Sequence, residues 1–259
     1  MNTELINRFA PTILGLKEDE LSNSAALMQK LELSNEGCVQ VVYTPFEYVN
    51  PNARVVLVGI TPGTTQLVNS VREARRMLKA GFSMDETLKA AKSAGAFSGP
   101  MRAPLVSMLN EIGLHKWLGL QDCAELFSTA AYLVHTTSTL RNAVFVEGRM
   151  YNKSPSIFRN QLLKNQLLEG FVQEAKSLPN AVYIPLGAPT CETLNKLAEQ
   201  GLIDPNRVLD GLPHPSGSNN ERIAYFLGRK KKAALSPKTN ADLLDDAKAK
   251  LIAKLSLLN

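Results

Sequence analysis

The stretch Arg54-Val55-Val56-Leu57-Val58-Gly59-Ile60-Thr61-Pro62-Gly63 decides the fold, because an apolar run typical of a buried strand leads directly into a tight loop. A second pair of this kind lies far along the chain, where Val208–Leu212 precedes His214-Pro215-Ser216-Gly217-Ser218-Asn219. Glycine and proline hold such loops in tight turns, so backbone N–H groups can approach a ligand. In α/β proteins, loops that follow neighbouring parallel strands face one crevice, where ligands bind. We therefore expect these two loops to form one site.

Helical and strand-like stretches alternate around the two loops. Apolar residues at three- and four-residue steps predict helices in the first ~35 residues, from Leu67, after the Ser83 capping box, from Pro104, over 161–178, over 190–199 and from Asn240. Further strands are predicted at Val39–Tyr43, Leu126–Val134 and Ala181–Ile184. Such alternation indicates a doubly wound α/β sheet flanked by helices.

Composition favours a cytoplasmic protein. The 259 residues are 44% hydrophobic and include no apolar run long enough for a bilayer and no signal-peptide pattern. The cysteines, Cys38, Cys123 and Cys191, are odd in number and widely spaced. That spacing argues against a disulfide frame, a structural zinc or an iron–sulfur cluster. We expect no metal and no cofactor, while the oligomeric state stays open.

Four segments, taken in order, resemble the motifs of the uracil-DNA glycosylase superfamily. They are Gly59–Gly63 as G-x-x-P-G, Gly95–Pro100 around Phe97, Pro185–Thr190, and His214–Asn219 as H-P-S-x-x-N. The resemblance covers roughly Val55 to Arg229. It implies a three-layer α/β/α sandwich with a central, mainly parallel sheet of about four strands. Residues 1–259 would form a single domain, with an inserted helical segment about 67–93 and a C-terminal helix about 240–257.

The resemblance also implies a role for each loop. Thr61 takes the place of the water-handling residue, Phe97 stacks on the extruded base, and His214 stabilises the leaving base. Ile60 and Thr129 join Phe97 as base-binding residues, and Ser216 grips a backbone phosphate. The expected DNA contacts are Gly63, Ser216, Asn219, Arg222, Arg229 and Lys230.

The residue types suit this chemistry. Cleavage of an N-glycosidic bond needs an extruded base, a stabilised base anion and a water at the sugar carbon. Phe97 lies among Gly95, Ser98, Gly99 and Pro100, which is loop composition, although a core phenylalanine is the alternative. The His214 imidazole can donate a hydrogen bond that strengthens as charge builds on the base, although a lone histidine is more often structural.

Two departures from the superfamily pattern bear on the substrate. Threonine at position 61 cannot act as a base near neutral pH, although its hydroxyl can position a water. The base-reading strand shows Ser128-Thr129-Ala130-Ala131 without the expected amide, unless Asn142 or another residue substitutes. The small side chains there leave room for a bulkier base. The polar Ser218-Asn219-Asn220 in place of an apolar wedge favours single-stranded or distorted DNA.

Basic residues cluster at two places. The net charge is +5, and Arg229-Lys230-Lys231-Lys232 follows the His214 loop closely. The predicted insertion carries Arg72, Arg75, Arg76, Lys79, Lys89 and Lys92. Each cluster suits phosphate contacts, with a solvated face as the alternative for the first. The insertion can equally be a lid over the site.

The leading hypothesis is a monofunctional DNA glycosylase acting on a damaged or modified base, slow on plain uracil. The alternatives are a nucleic-acid-binding module that has lost the chemistry, and a nucleotide or nucleoside hydrolase. Because fold does not fix function, the sequence leaves these alternatives open, along with the choice between repair and defence against foreign DNA.

Overall fold

Residues 3–258 are described by a computed structural model, and their contacts divide into two compact units. The first unit comprises residues up to Val49, Ile60–Ser98 and Thr136–Ser177, and the second comprises Asn50–Gly59, Gly99–His135 and residues from Leu178 onward. The helices and strands, in chain order, are α1 Glu4–Gly15, α2 Ser24–Lys30, β1 Glu32–Glu36, β2 Val39–Val42, β3 Val55–Gly59, α3 Thr64–Lys79, α4 Met84–Gly95, α5 Arg102–Glu111, α6 Leu114–Leu118, β4 Val134–Ser138, β5 Ala143–Val146, β6 Arg149–Met150, α7 Gln161–Gln166, α8 Val172–Ser177, β7 Val182–Pro185, α9 Ala188–Glu199, α10 Asn220–Phe226 and α11 Ala241–Leu257.

The first unit joins an antiparallel sheet to a helical core. The sheet has the order β1-β2-β5-β6, and Val39–Val42 of β2 pairs with Ala143–Val146 of β5. Helices α3 and α4 belong to this core, since Leu67, Val71 and Leu88 are fully buried in the same cluster as residues of α1. The stretch predicted as an inserted segment is therefore central to the first unit. It is not a lid.

Strands β4, β3 and β7 form a parallel sheet in that order, and β3 is the strand that the sequence predicts before the first loop. Residues Val55–Val58 of β3 pair in parallel with Val182–Pro185 of β7. The predicted strand Val208–Leu212 is reduced to one parallel bridge between Val208 and Tyr183. The chain is thus a mixed α/β protein, as predicted, but it also has an antiparallel sheet that the sequence did not predict.

Two element predictions are wrong. Residues 126–133 form no strand, because short 3-10 turns occupy Cys123–Phe127 and Ala131–Leu133 and the strand begins at Val134. The Asn50 side-chain amide donates to the backbone carbonyls of Tyr132 (2.9 Å) and Val134 (2.8 Å), which holds the second turn. Residues 32–36, predicted as helix, form the edge strand β1 instead.

The last helix of the chain, α11, spans Ala241–Leu257. Helix α11 covers the stretch whose periodicity predicts a C-terminal helix, and its Leu251 and Leu255 are buried. Within residues 3–258, no helix combines the length and apolarity needed to cross a membrane.

Candidate functional site

The Thr61 hydroxyl is held by the backbone of the first unit. Its Oγ1 donates to the carbonyl oxygen of Asn142 (3.0 Å) and accepts from the backbone N–H of Val144 (3.1 Å). The side chain is buried, with 9% of its surface exposed. A hydroxyl has one donor and two acceptor sites, so a single lone pair remains for any water. Thr61 therefore fastens its loop to β5, and its proton is not available to a substrate.

Gln66 brings the first loop and the Phe97 loop together. Its Oε1 accepts the backbone N–H of Gly63 at 2.7 Å, which completes a capping box at the start of α3. Its backbone carbonyl lies against Gly95, where a Cβ would approach it to 2.9 Å and would meet the Phe46 ring at the same distance. The predicted phosphate contact through the Gly63 amide would first have to displace Gln66. Only glycine fits at position 95.

Phe97 has an unusual backbone conformation. Its φ is +48°, a region that bulky residues rarely occupy. The other non-glycine residues with positive φ in the described chain, Glu147 and Lys153, are exposed, whereas Phe97 is 4% exposed. The Ser98 hydroxyl donates to the Gly95 carbonyl (3.0 Å), which closes the turn. Strain of this kind at a buried aromatic residue is characteristic of functional loops.

Asn142 lies beside the first loop, and its side-chain amide is hydrogen-bonded at both ends. Its Oδ1 accepts from the Thr44 N–H (3.1 Å) and its Nδ2 donates to Gln166 Oε1 (3.0 Å). The amide therefore supports the first unit. These two contacts use one of the two Nδ2–H donors and one of the two Oδ1 lone pairs.

The residues predicted to read the base do not share a strand face. Thr129 and Ala131 are exposed in turns and Ala130 is buried, so their side chains do not line one wall. The room for a bulkier base was inferred from a strand at these positions, and without that strand they give no support to a larger base. Tyr132, in the same turn, is 59% exposed.

His214 follows the segment 208–212, which lies next to β7 in the second unit. The Gly187 N–H, two residues beyond β7, donates to the Leu212 carbonyl at 3.3 Å. A Cβ on Gly187 would lie 3.0 Å from the His214 Cβ, and the φ of Gly187 is +84°. Gly187 thus lets the start of α9 approach the histidine closely.

The hydrogen bonding of His214 fixes its tautomer. The backbone N–H of Ser216 donates to His214 Nδ1 at 3.2 Å, so the proton of the neutral ring is on Nε2. Burial lowers the pKa of His214 below its usual value, which keeps the ring neutral at pH 7. The half-buried side chain therefore presents an Nε2–H donor.

The polar residues after His214 form a connected chain of hydrogen bonds. Asn219 Nδ2 donates to Ser216 Oγ (3.1 Å), and Asn219 Oδ1 accepts from Arg222 Nη1 (2.8 Å). Arg222 Nη2 in turn donates to the Lys238 carbonyl at 3.2 Å. Three of the predicted DNA contacts, Ser216, Asn219 and Arg222, thus lie together.

Two of the four cations in the basic run after α10 are paired with carboxylates. Lys230 Nζ lies 2.6 Å from Glu221 Oε1, and Lys232 pairs with Asp242. Glu221 also accepts from the Ser236 and Thr239 hydroxyls, and its hydrogen bond from Lys230, with these, holds its pKa far below the usual range. Lys230 is therefore a poor phosphate ligand, whereas Arg229 and Lys231 are exposed.

Several basic residues of α3 and α4 are also engaged within the first unit. Arg75 pairs with Glu18, and Arg76 pairs with Glu73 at 2.7 Å. Lys92 is buried and donates to the carbonyls of Phe46 (2.9 Å) and Tyr48 (2.6 Å). Burial lowers the pKa of Lys92 to about 8. Arg75 and Lys92 therefore link α3 and α4 to other parts of the first unit, whereas the Arg76 pair lies within α3.

The convergence of the three loops on one crevice stays a prediction, because Thr61 and Phe97 belong to the first unit and His214 belongs to the second. Within residues 3–258, no group of three or more histidine, cysteine, aspartate or glutamate residues is placed to hold a metal ion.

Comparison with known proteins gives one informative relative. No family model matches the chain, and no solved structure matches it. The uncharacterized protein YoxB of Bacillus subtilis (strain 168) is 32% identical over 254 residues, which cover 95% of this chain and 97% of YoxB. The chain belongs to the YoxB family. Because the match with YoxB spans both chains nearly end to end, it includes the first loop, the Phe97 loop and the His214 loop.

Sequence reasoning missed the roles of Gln66 and Glu221, and it named Asn142 only as a possible base-reading amide. Gln66 carries a visible signal, since a glutamine three residues after Gly63 is the pattern of a capping box. The contacts of Asn142 and Glu221 carry no such signal, because their partners lie farther away in the chain. Thr44 is 98 residues from Asn142, and Lys230, Ser236 and Thr239 are 9, 15 and 18 residues from Glu221.

Proposed function

We propose that this YoxB-family protein is a monofunctional DNA glycosylase that hydrolyses the N-glycosidic bond of a damaged or modified base extruded from DNA. The observation that carries the proposal is the neutral His214, which accepts the Ser216 N–H at Nδ1 and so presents Nε2–H from a loop at a strand end. The H-P-S-x-x-N pattern of that loop supports the same function.

The proposed reaction uses His214 to stabilise the leaving base. As the bond between sugar and base breaks, its electron pair moves onto the base, and charge develops on the carbonyl oxygens. A hydrogen bond from His214 Nε2–H to such an oxygen is stronger in the transition state than in the ground state. Water then adds to the sugar carbon and loses its proton to solvent.

Phe97 supports the extruded base in this proposal. Stacking on an aromatic ring is worth ~1–3 kcal/mol per base. The backbone of the Phe97 loop is constrained, since Phe97 has a positive φ and Gly95 packs tightly against the Phe46 ring. The 4% exposure of Phe97 means that its loop must open slightly to admit a base.

The environment of Thr61 argues for a slow enzyme. Thr61 supplies no general base, because a neutral hydroxyl is not basic enough near neutral pH, and a general base typically contributes ~10²–10⁴-fold. Departure of a well-stabilised base would then drive the reaction. We infer that plain uracil is a poor substrate and that bases with better leaving-group character are preferred.

Two finer expectations accompany the proposal. The parallel strands β4, β3 and β7, with the Val208 bridge, support a glycosylase-like central sheet of about four strands in a three-layer arrangement. The cysteines Cys38, Cys123 and Cys191 are free thiols, which supports a reducing, cytoplasmic setting.

The test is an assay for abasic sites. Oligonucleotides bearing uracil, hypoxanthine or hydroxymethylated pyrimidines, single-stranded or mismatched, are incubated with excess protein and then treated with alkali. We expect cleavage that depends on the modified base, and loss of most of it in His214→Ala with DNA affinity within a few-fold of the parent. His115→Ala is the matched control and should retain activity. An unchanged single-turnover rate in His214→Ala would remove His214 from the mechanism.

A second candidate is a nucleic-acid-binding module without chemistry. The buried hydroxyl of Thr61 specifically favours it, because its two hydrogen bonds to the backbone leave only one lone pair to orient a water. In the same assay this candidate predicts salt-sensitive DNA binding with no abasic sites from any substrate. Activity on free nucleotides alone would instead support a nucleotide hydrolase.

A further inference from the structure

A pocket in the first unit lies apart from the Phe97 loop. Its volume is about 300 Å³, and its apolar wall is formed by Leu5, Leu33 and Leu162. Its polar wall is formed by residues 141–142, 165–166 and 169. This volume is at the lower end of the range for small-molecule sites, so the pocket suits one compact ligand. We refer to it as the Gln166 pocket.

Two backbone irregularities flank the Gln166 pocket. The register of β1 against β2 shifts between Glu32 and Ser34, at Leu33. A single π turn, Leu167–Phe171, joins α7 to α8 and places Glu169 in the pocket wall. Bulges and π turns redirect side chains and recur at functional sites. These two come from distant parts of the sequence and meet at one cavity.

Hydrogen-bonding capacity is unused around the pocket. Gln166 Oε1 accepts from Asn142 Nδ2 (3.0 Å) and Asn165 Oδ1 accepts from Gln161 Nε2 (2.8 Å). The amide nitrogens of Gln166 and Asn165 make no hydrogen bond within residues 3–258. Arg141 Nε is buried without a partner there as well. A ligand that reached Arg141 Nε would recover a hydrogen bond that the free protein lacks, whereas the half-buried Gln166 amide and the exposed Asn165 amide would exchange water for the ligand.

The charges of the wall disfavour an anionic ligand. The guanidinium of Arg141 lies 3.5 Å from the Glu174 carboxylate, which offsets its charge. Among the described residues, the only carboxylate in the wall belongs to Glu169, which is exposed and can accept a hydrogen bond. Amide donors and a carboxylate acceptor together match a lactam edge, in which carbonyl oxygens alternate with N–H groups. The three leucines match the apolar faces of a flat ring.

We propose that the Gln166 pocket binds a free pyrimidine base or its nucleoside. The lactam carbonyls accept from the amide nitrogens of Gln166 and Asn165, and the ring N–H donates to Glu169. The Asn142 carbonyl accepts the Thr61 hydroxyl, so an occupied pocket also steadies the first loop. This proposal does not depend on the glycosylase reaction, because the ligand is bound free.

The test is calorimetric titration of the full chain with uracil, 5-hydroxymethyluracil and uridine, in the absence of DNA. We expect saturable binding, weakened about tenfold or more in Gln166→Glu, which keeps the acceptor for Asn142 but removes the donor. Gln200→Glu, the same change at the end of α9, is the matched control and should bind like the parent. Comparing uracil with uridine separates the base from the nucleoside as the ligand.

Two outcomes would overturn the proposal. One is the absence of binding by the folded parent protein at millimolar ligand. The other is binding that survives Gln166→Glu and the pocket-filling Leu33→Trp but is lost in Phe97→Ala, which would place the ligand on the Phe97 loop. Neither outcome changes the abasic-site assay, so failure of this proposal is distinguishable from failure of the proposed reaction.

Discussion

Replacing Gly187 with alanine should destabilise the second unit and disturb His214. Gly187 has φ +84° and ψ 157°, a region that is essentially restricted to glycine, and strain there costs about 1–3 kcal/mol. The new Cβ would also lie 3.0 Å from the His214 Cβ, so the histidine must shift by a few tenths of an ångström. We expect Gly187→Ala to lower the free energy of unfolding by about 2 kcal/mol or more.

Two glycine-to-alanine controls separate these effects. Gly201 has φ +70°, and a Cβ added there would have no atom within 4 Å, so Gly201→Ala tests backbone strain alone, at about 1–2 kcal/mol. Gly15 has neither strain nor close neighbours, and Gly15→Ala should be neutral or stabilising by up to ~1 kcal/mol. Urea unfolding measures all three variants, and the abasic-site assay then measures the effect on His214. The reasoning fails if Gly187→Ala is no less stable than Gly15→Ala.

Three further predictions address other parts of the molecule. Thr61→Val leaves the Asn142 carbonyl and the Val144 N–H without their Thr61 partner, so the free energy of unfolding in urea should fall by about 1–3 kcal/mol. The single-turnover rate should change little. A rate loss without destabilisation would show that Thr61 takes part in the chemistry. Lys230 and Lys232 are neutralised by Glu221 and Asp242. Changing the two lysines to glutamine should therefore reduce the salt dependence of DNA binding, measured by fluorescence anisotropy, no more than Lys231→Gln does alone. A clearly larger effect would show that both lysines contact phosphates. The pKa of Lys92 is about 8 in the folded protein and 10.5 when unfolded, so the unfolded state binds more protons between these pH values. The free energy of unfolding should therefore rise with pH from about 8 to 10.5. Urea unfolding of Lys92→Met should lack this rise when compared with the parent.

Elements with local signals were predictable from the sequence. The Ser83–Glu86 capping box is formed at the start of α4, with Ser83 N–H donating to Glu86 Oε2 at 3.0 Å. The apolar run 55–58 is fully buried in β3, as expected for a strand of a parallel sheet. In each case the information lies within a few residues of the element.

Elements that depend on distant partners were not predictable. The run 126–134 is apolar enough for a strand, but Asn50, some 80 residues earlier, captures the carbonyls of Tyr132 and Val134. The polar segment Glu32–Glu36 becomes a strand only because it pairs with β2. Likewise, the lysine run after α10 looks free in sequence, although Glu221 and Asp242 neutralise half of it.

The same distinction between local signals and distant partners explains why the motif of the first loop predicts its shape but not its chemistry. The G-x-x-P-G pattern predicts a tight turn after a strand, and β3 with the loop that follows it has this arrangement. What the loop can do is decided by Asn142 and Val144, which take both the donor and one acceptor of the Thr61 hydroxyl. The His214 loop differs because its own Ser216 N–H fixes the tautomer, within two residues. The tautomer of His214 is therefore set by a contact within its own loop, and the proposed reaction rests on that donor rather than on Thr61.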